Sequence, residues 1–279
     1  MSHRSLNRVV VGALFLLAGC VGAAEEPGDF AEAPALEALG GPTKGSGGIN
    51  GLSPIAYHSN VNALLGSLSV AAADPRDSSG VNPTIVASGL LDTEGGRDVF
   101  SYAARCALPA GTRLVSGSRT YAGGGILGTT GRWLTAGLTT EQKEDALTCL
   151  VTHLNTFSAH VPIFLSGPSI AGAESSEASD FNVEEAVWQV KLQDGGQAPV
   201  YYAWPRVNLL DTCGLLTTVT WITRICGSVL NTCGVQVRYD RATACSGSDG
   251  IFSCNGKPAI QTTLEESDLC SLHLGLSLL

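Results

Sequence analysis

Apolar positions recur at helical spacing in the first half of this chain and alternate in the second. Val61, Leu64, Leu65 and Leu68 lie three or four apart, which predicts a helix between Asn60 and Val70. The clearest helical pattern runs from Thr140 to Phe157, where Leu147, Leu150, Val151 and Leu154 form one stripe. Thr139 and Gln142 stand ahead of it at the spacing of a capping box. Asp98 is placed to cap a short helix through Cys106, and Pro109 stops it. Thr84–Leu91 suits either strand or helix. Leu114–Ile126, rich in glycine, suits a small hairpin or an extended loop, and Val161–Leu165 reads as a buried strand.

A small, acidic, Ser/Ala/Gly-rich spacer over 167–180 marks a boundary, and beyond it the period becomes two. Ala186, Trp188, Val190 and Leu192 alternate with Glu185, Val187, Gln189 and Lys191, the pattern of a strand with one buried face. Val200–Trp204, Thr217–Ile225 and Gly234–Tyr239 read the same way. The tail, with Leu272, Leu274, Leu276 and Leu278, offers a final strand. The expected fold class is therefore α+β: a mixed, largely helical half over 51–166 and a β-rich antiparallel half over 181–279.

The N-terminus carries a different pattern. Arg4 and Arg8 precede the apolar run Val9–Leu17, which is too short to span a bilayer as a stable helix. Ala18-Gly19-Cys20 then closes it as in a bacterial lipoprotein signal. Residues 1–19 read as the cleaved signal and Cys20 as the lipid attachment site, carrying palmitate-type acyl chains. Two or more chains meet the requirement for stable anchoring. Val21 follows the cysteine in place of Asp, and resemblance to enteric lipoproteins then implies sorting to the outer membrane, on its periplasmic or its outer face. Residues 20–50 read as a flexible acidic tether, with folding expected to begin near Ile49–Leu52.

Charge and cysteine count sharpen this picture. Cleavage removes two of sixteen basic residues and no acidic one, leaving 14 against 25, a net charge of −11. Such a balance argues against nucleic acid as a partner. Of nine cysteines, Cys20 is taken by lipid. Cys106, Cys149, Cys213, Cys226, Cys233, Cys245, Cys254 and Cys270 remain, an even set that reads as a disulfide framework in an exported chain. None forms a Cys-x-x-Cys pair, which weakens zinc-ribbon and thioredoxin-like readings. Cys106 is expected to pair with Cys149, and the last six among themselves.

Asn50-Gly51-Leu52-Ser53-Pro54, Gly96-Arg97, Tyr102 to Pro109, and Thr148-Cys149-Leu150 with Asn155 resemble a family of exported proteins that occur as paralogues in myxobacterial-type bacteria. Glu184-Glu185-Ala186, Arg224-x-Cys226 and Cys233-Gly234 are similar to that family's second half. The resemblance spans about residues 50 to 255 and implies no activity, cofactor or catalytic residue.

Candidate chemical sites are sparse. His58, His153, His160 and His273 are the histidines of the mature chain; His153 and His160 stand seven apart, not at the one-turn spacing of a metal pair. No Gly-x-Ser-x-Gly elbow or Ser-x-x-Lys pair marks a nucleophile. Gly123-Gly124-Gly125 lacks the Lys-Ser/Thr of a phosphate loop, so turn geometry explains it better. Asp92, Glu94 and Asp98 offer oxygens for calcium, but outside the EF-hand order, so helix capping is the plainer account. No catalytic residue and no cofactor is expected. Two functions stay open: a binding or structural lipoprotein module whose partner is an envelope protein or an extracellular ligand, and an exported hydrolase with a dispersed site. An exposed patch of Tyr201, Tyr202, Trp204 and Trp221 would favour binding.

The anchor has a direct test. Cys20→Ser should release the protein from the membrane fraction or trap the precursor. Equal incorporation of labelled fatty acid into wild type and variant would refute the assignment.

Overall fold

The computed structural model describes residues 45–128, 131–156, 161–171, 181, 183–205, 222, 224–226, 233–248 and 250–265. Cys20, Cys213, Cys270, His160, His273, Trp221, the chain up to residue 44, most of the spacer and the Leu272–Leu278 tail lie outside the described residues.

The fold is α+β. Helix α1 (Pro54–Ser67) starts at Ser53, whose hydroxyl accepts from Ala56 N–H, with Pro54 in the first turn. It buries Tyr57, Val61 and Leu64. The ambiguous segment forms the short helix α2 (Pro83–Ala87), capped by Asn82. Helix α3 (Glu94–Ala107) begins four residues before the expected Asp98, because Thr93 is the residue that caps it, accepting from Gly96 N–H. Asp98 instead sits one turn inside. A side chain at Gly96 would place its Cβ 1.8 Å from Leu90 O, so only glycine lets the first turn lie against that loop.

β2 (Arg113–Ser116) and β3 (Arg119–Ala122) make the small hairpin. The glycine run after it lies along the end of α3: Gly124, Gly125 and Leu127 N–H donate to Arg105, Leu108 and Cys106 carbonyls. Terminal carbonyls that lack helical partners are satisfied in this way. Helix α4 (Gly131–Thr135) buries Trp133 against Phe100. Helix α5 (Thr140–Thr152) has the capping box on Thr139 and Gln142, and ends at His153, short of Phe157. Cys106–Cys149 bonds α3 to α5.

The sheet runs in the order β1 (Gly45–Asn50), β4 (Val161–Ser166), β10 (Lys257–Leu264), β5 (Val183–Lys191), β6 (Val200–Pro205), β7 (Val235–Val237). All neighbours are antiparallel except β6 and β7. β8 (Cys245–Ser248) and β9 (Ile251–Cys254) form a hairpin that pairs with the first residues of β10, and Cys245–Cys254 bonds across it. Cys226 is bonded to Cys233.

Four expectations are corrected. Gly45–Asn50, inside the segment read as tether, form β1 through a ladder on β4. The two halves share one sheet and one core: β10 pairs with both β4 and β5, and one apolar cluster runs from Leu52 to Leu264. β5 is covered on both faces, Ala186, Trp188 and Val190 in the main core and Val187 with Trp204, Cys254 and Ala259 in a second cluster. Ile222, Arg224 and Ile225, expected in a strand, are helical.

Arg224 explains why that helical turn sits where it does. Its Nε and Nη2 donate to Glu185 Oε1 and Oε2 at 2.8 and 2.7 Å, and its Nη1 donates to Leu154 O at 2.5 Å. Thr262 Oγ1 donates to Glu185 Oε2 at 2.8 Å and accepts from Trp188 Nε1 at 2.9 Å. The pair is excluded from solvent, at 0% and 2% side-chain exposure. Arg224→Met should therefore cost roughly 3–5 kcal/mol, because it strands a buried carboxylate. Urea unfolding with the disulfides intact measures this, and a loss below about 1 kcal/mol would mean the pair does not tie the layers together.

Candidate functional site

Two groups of chemically capable side chains are packed on α5. The first gathers at its C-terminal end. Cys149 and His153 stand one turn apart, and Cys106 reaches them from the last turn of α3. Both sulfurs and a ring nitrogen of His153 lie within 4.8 Å of one another, and all three residues are buried. His153 Nδ1 hydrogen-bonds Cys149 O at 2.7 Å, so Nδ1 carries the proton and Nε2 keeps a lone pair. The Thr152 hydroxyl donates to the same carbonyl at 2.6 Å. The ring packs against Tyr102. Burial lowers the His153 pKa to about 4, the Cys149 carbonyl opposes that shift, and Arg105 and Arg224 add to it.

The second group lies where β5 and β10 part. Their ladder extends only to Ile260 and Trp188; from Lys257 to Ala259, β10 pairs with β9 instead. Side chains occupy the fork. Thr148 Oγ1 accepts from Val190 N–H at 2.9 Å and Glu144 Oε1 from Leu192 N–H at 3.0 Å, replacing the missing strand partner. Gln189 Nε2 points at the Cys254, Lys257 and Pro258 carbonyls at 2.8, 3.3 and 3.2 Å. Lys257 Nζ pairs with Glu144 Oε2 at 2.5 Å. A water-sized cavity lies among Glu144, Asp145, Thr148, Gln189 and Lys257. Asp145 accepts from Ser169 Oγ at 2.8 Å; burial raises its pKa to about 6, against the lowering effect of that hydrogen bond.

The remaining candidates do not come together. Among the described residues, Cys106, Cys149 and His153 are the one set of three whose ligand atoms gather. Asp92, Glu94 and Asp98 are not such a set: Glu94 opens α3, and Asp98 pairs with Arg119 at 3.5 Å. His58 is exposed, its ring edge-on to Tyr57 and Tyr201, and partial burial lowers its pKa. The aromatic patch that would favour binding is not found among the described residues, since Tyr201 and Trp204 are core residues and Tyr202 is half-buried on Trp204. Among the described residues of this half, the exposed large apolar groups are Tyr239, at 65% exposure, and Ile251, at 40%. Arg238 and Arg241 flank Tyr239 along the chain; Arg238 binds Asp240, and Arg241 pairs with Glu184 while lying over the Phe252 ring. Composition gave no sign of this arrangement, because single exposed residues carry no period.

No family model, characterised protein or solved structure matches this chain.

The two shifted groups set an acid response of opposite signs. Between about 4 and 6.5 the unfolded chain binds a proton on His153 that the folded chain does not, so stability falls as pH drops through that window. Between about 3.8 and 6 the folded chain holds a proton on Asp145 that the unfolded chain lacks, so stability rises as pH drops. From pH 4 to 6 the two offset each other. Asp145→Asn keeps the Ser169 contact and removes the titration, so it should uncover a slope approaching ~1.4 kcal/mol per pH unit. Urea midpoints at pH 4, 5, 6 and 7 measure it, and identical slopes in wild type and variant would count against the assignment.

Proposed function

We propose that this protein is an outer-membrane lipoprotein, held through Cys20, whose folded body is a binding module without a catalytic centre. Its partner is an envelope protein or an extracellular ligand; nucleic acid is not among the partners. The observation that carries the reading is how the polar groups are used. Arg224, Glu185, Thr262 and Trp188 spend their hydrogen bonds on one another and on the end of α5, and His153 bonds the main chain. These groups fix a shape.

A fixed shape serves recognition, and disulfides across α3–α5 and across the β8–β9 hairpin add rigidity. Tyr239, with Arg238 and Arg241 beside it in sequence, has the aromatic and arginine character of a binding hot spot, and Ile251 is a second exposed apolar group of this half. A tether from Cys20 to β1 would raise the effective concentration of the module for neighbours in the same membrane. Resemblance to exported paralogues adds a compartment and no chemistry.

The hydrolase alternative rests on Asp145, a carboxyl titrating near pH 6 in contact with Ser169 beside a cavity. One pair of measurements separates the readings. Crosslinked capture of envelope partners should weaken several-fold in Tyr239→Ala/Ile251→Ser, whose stability should stay within about 0.5 kcal/mol per exposed site. Turnover of ester, peptide or glycoside substrates by the lipid-free protein, abolished in Asp145→Asn with the fold intact, would overturn the binding reading.

A further inference from the structure

We propose that Cys106, Cys149 and His153 form a redox-gated site for one zinc ion, opened when the Cys106–Cys149 bond is reduced. The three ligand atoms already lie within 4.8 Å of one another, delivered by two helices rather than by loops. Cys149 and His153 are four apart on α5, a spacing that puts both side chains on one helical face. The Cα atoms of the two cysteines are 6.1 Å apart, a separation at which side-chain rotation alone decides between a bond and two ligands. The Cys149 carbonyl holds His153 Nδ1–H at 2.7 Å, the kind of outer contact that fixes the tautomer of a metal-binding imidazole and leaves Nε2 its lone pair. Neutral imidazole and thiolate are the forms a zinc site needs. Among the described residues no fourth His, Cys, Asp or Glu joins the set. Three protein ligands leave the fourth tetrahedral position to water or an added thiol.

The chemistry is a two-electron exchange with a dithiol partner. One thiolate of the partner attacks Cys106 or Cys149 sulfur, the disulfide bond breaks, and a mixed disulfide forms. The partner's second thiol resolves it, leaving the partner oxidised and two thiols on this chain. Zinc then displaces their two protons. Oxidation by a disulfide partner takes the two electrons back, restores the Cys106–Cys149 bond and releases the ion. Because both sulfurs are fully buried, exchange requires local opening where α3 meets α5.

This inference does not depend on the anchoring or binding readings. The test uses the whole mature protein, reduced with a phosphine under argon and titrated with cobalt and then zinc. Expected is one equivalent of cobalt giving a thiolate charge-transfer band, displaced by zinc, with near-UV circular dichroism retained or recovered. His153→Gln should weaken binding at least about tenfold, whereas Cys226→Ser/Cys233→Ser should leave it unchanged. The proposal is overturned if reduced protein takes up no metal, or if His153→Gln binds as tightly as wild type. It is equally overturned if reduction unfolds the chain and zinc fails to restore the near-UV signal.

Discussion

The buried pair of Arg224 and Glu185 is the constraint on which the rest of the structure hangs. Moving two charges out of water costs several kcal/mol each, and attraction between them offsets that only with good geometry and satisfied lone pairs. Here the guanidinium fork meets the carboxylate on two parallel bonds, at 2.8 and 2.7 Å. Its remaining edge serves the Thr152 and Leu154 carbonyls, which lie beyond the last helical bonds of α5. Glu185 belongs to β5 and Thr262 to β10. One side chain thus fixes where the helical layer ends relative to the two middle strands. Replacing any member with a group of different reach leaves a buried donor or acceptor alone, which is why the interaction specifies one arrangement.

The fork between β5 and β10 obeys the same demand for satisfied partners. A strand that loses its neighbour exposes N–H groups, and buried ones must find another acceptor. Val190 and Leu192 find Thr148 and Glu144, two residues one turn apart on α5. Thr148 also donates to the Glu144 carbonyl, so its hydroxyl both gives and accepts. α5 therefore stands in for a strand along this edge. That freedom lets the first part of β10 pair with β9 and carry the disulfide-closed hairpin.

Local signals in the sequence carried the helices and the α+β class. Thr139 with Gln142, and the Leu147-Leu150-Val151-Leu154 stripe, speak for themselves because cap and period both act within a few residues. The pairing of Cys106 with Cys149 followed from there being only two cysteines in that half. What stayed hidden depends on distant partners. Glu185 and Gln189 look like solvent-facing positions of an alternating strand, and only the arrival of Arg224 and β10 makes them buried. Asp98 suits a cap as well as Thr93 does by residue type, and the loop fixed by Gly96 gives the role to Thr93. The run 257–264, with Lys, Pro, Gln, two threonines and one leucine, has no strong period, yet it is central to the sheet. Its partners on both sides supply the burial that its own pattern does not announce.

That placement has a consequence for how the fold assembles. β10 lies near the end of the chain and sits between β4 and β5, with Gln261 opposite Ser166 on one side and Val187 on the other. Ser166 and Gln261 are 95 residues apart. The sheet cannot close until this late segment arrives, and closing such long loops is what slows a fold. α1, α3 and α5 bury one another earlier in the chain, and Cys106–Cys149 joins residues only 43 apart. The helical layer with its disulfide is thus the part that local contacts can build first. Arg224 and β10 reach their partners across longer stretches, 70 residues from Leu154 to Arg224 and 95 from Ser166 to Gln261, so loop closure weighs more on them than on the helical layer.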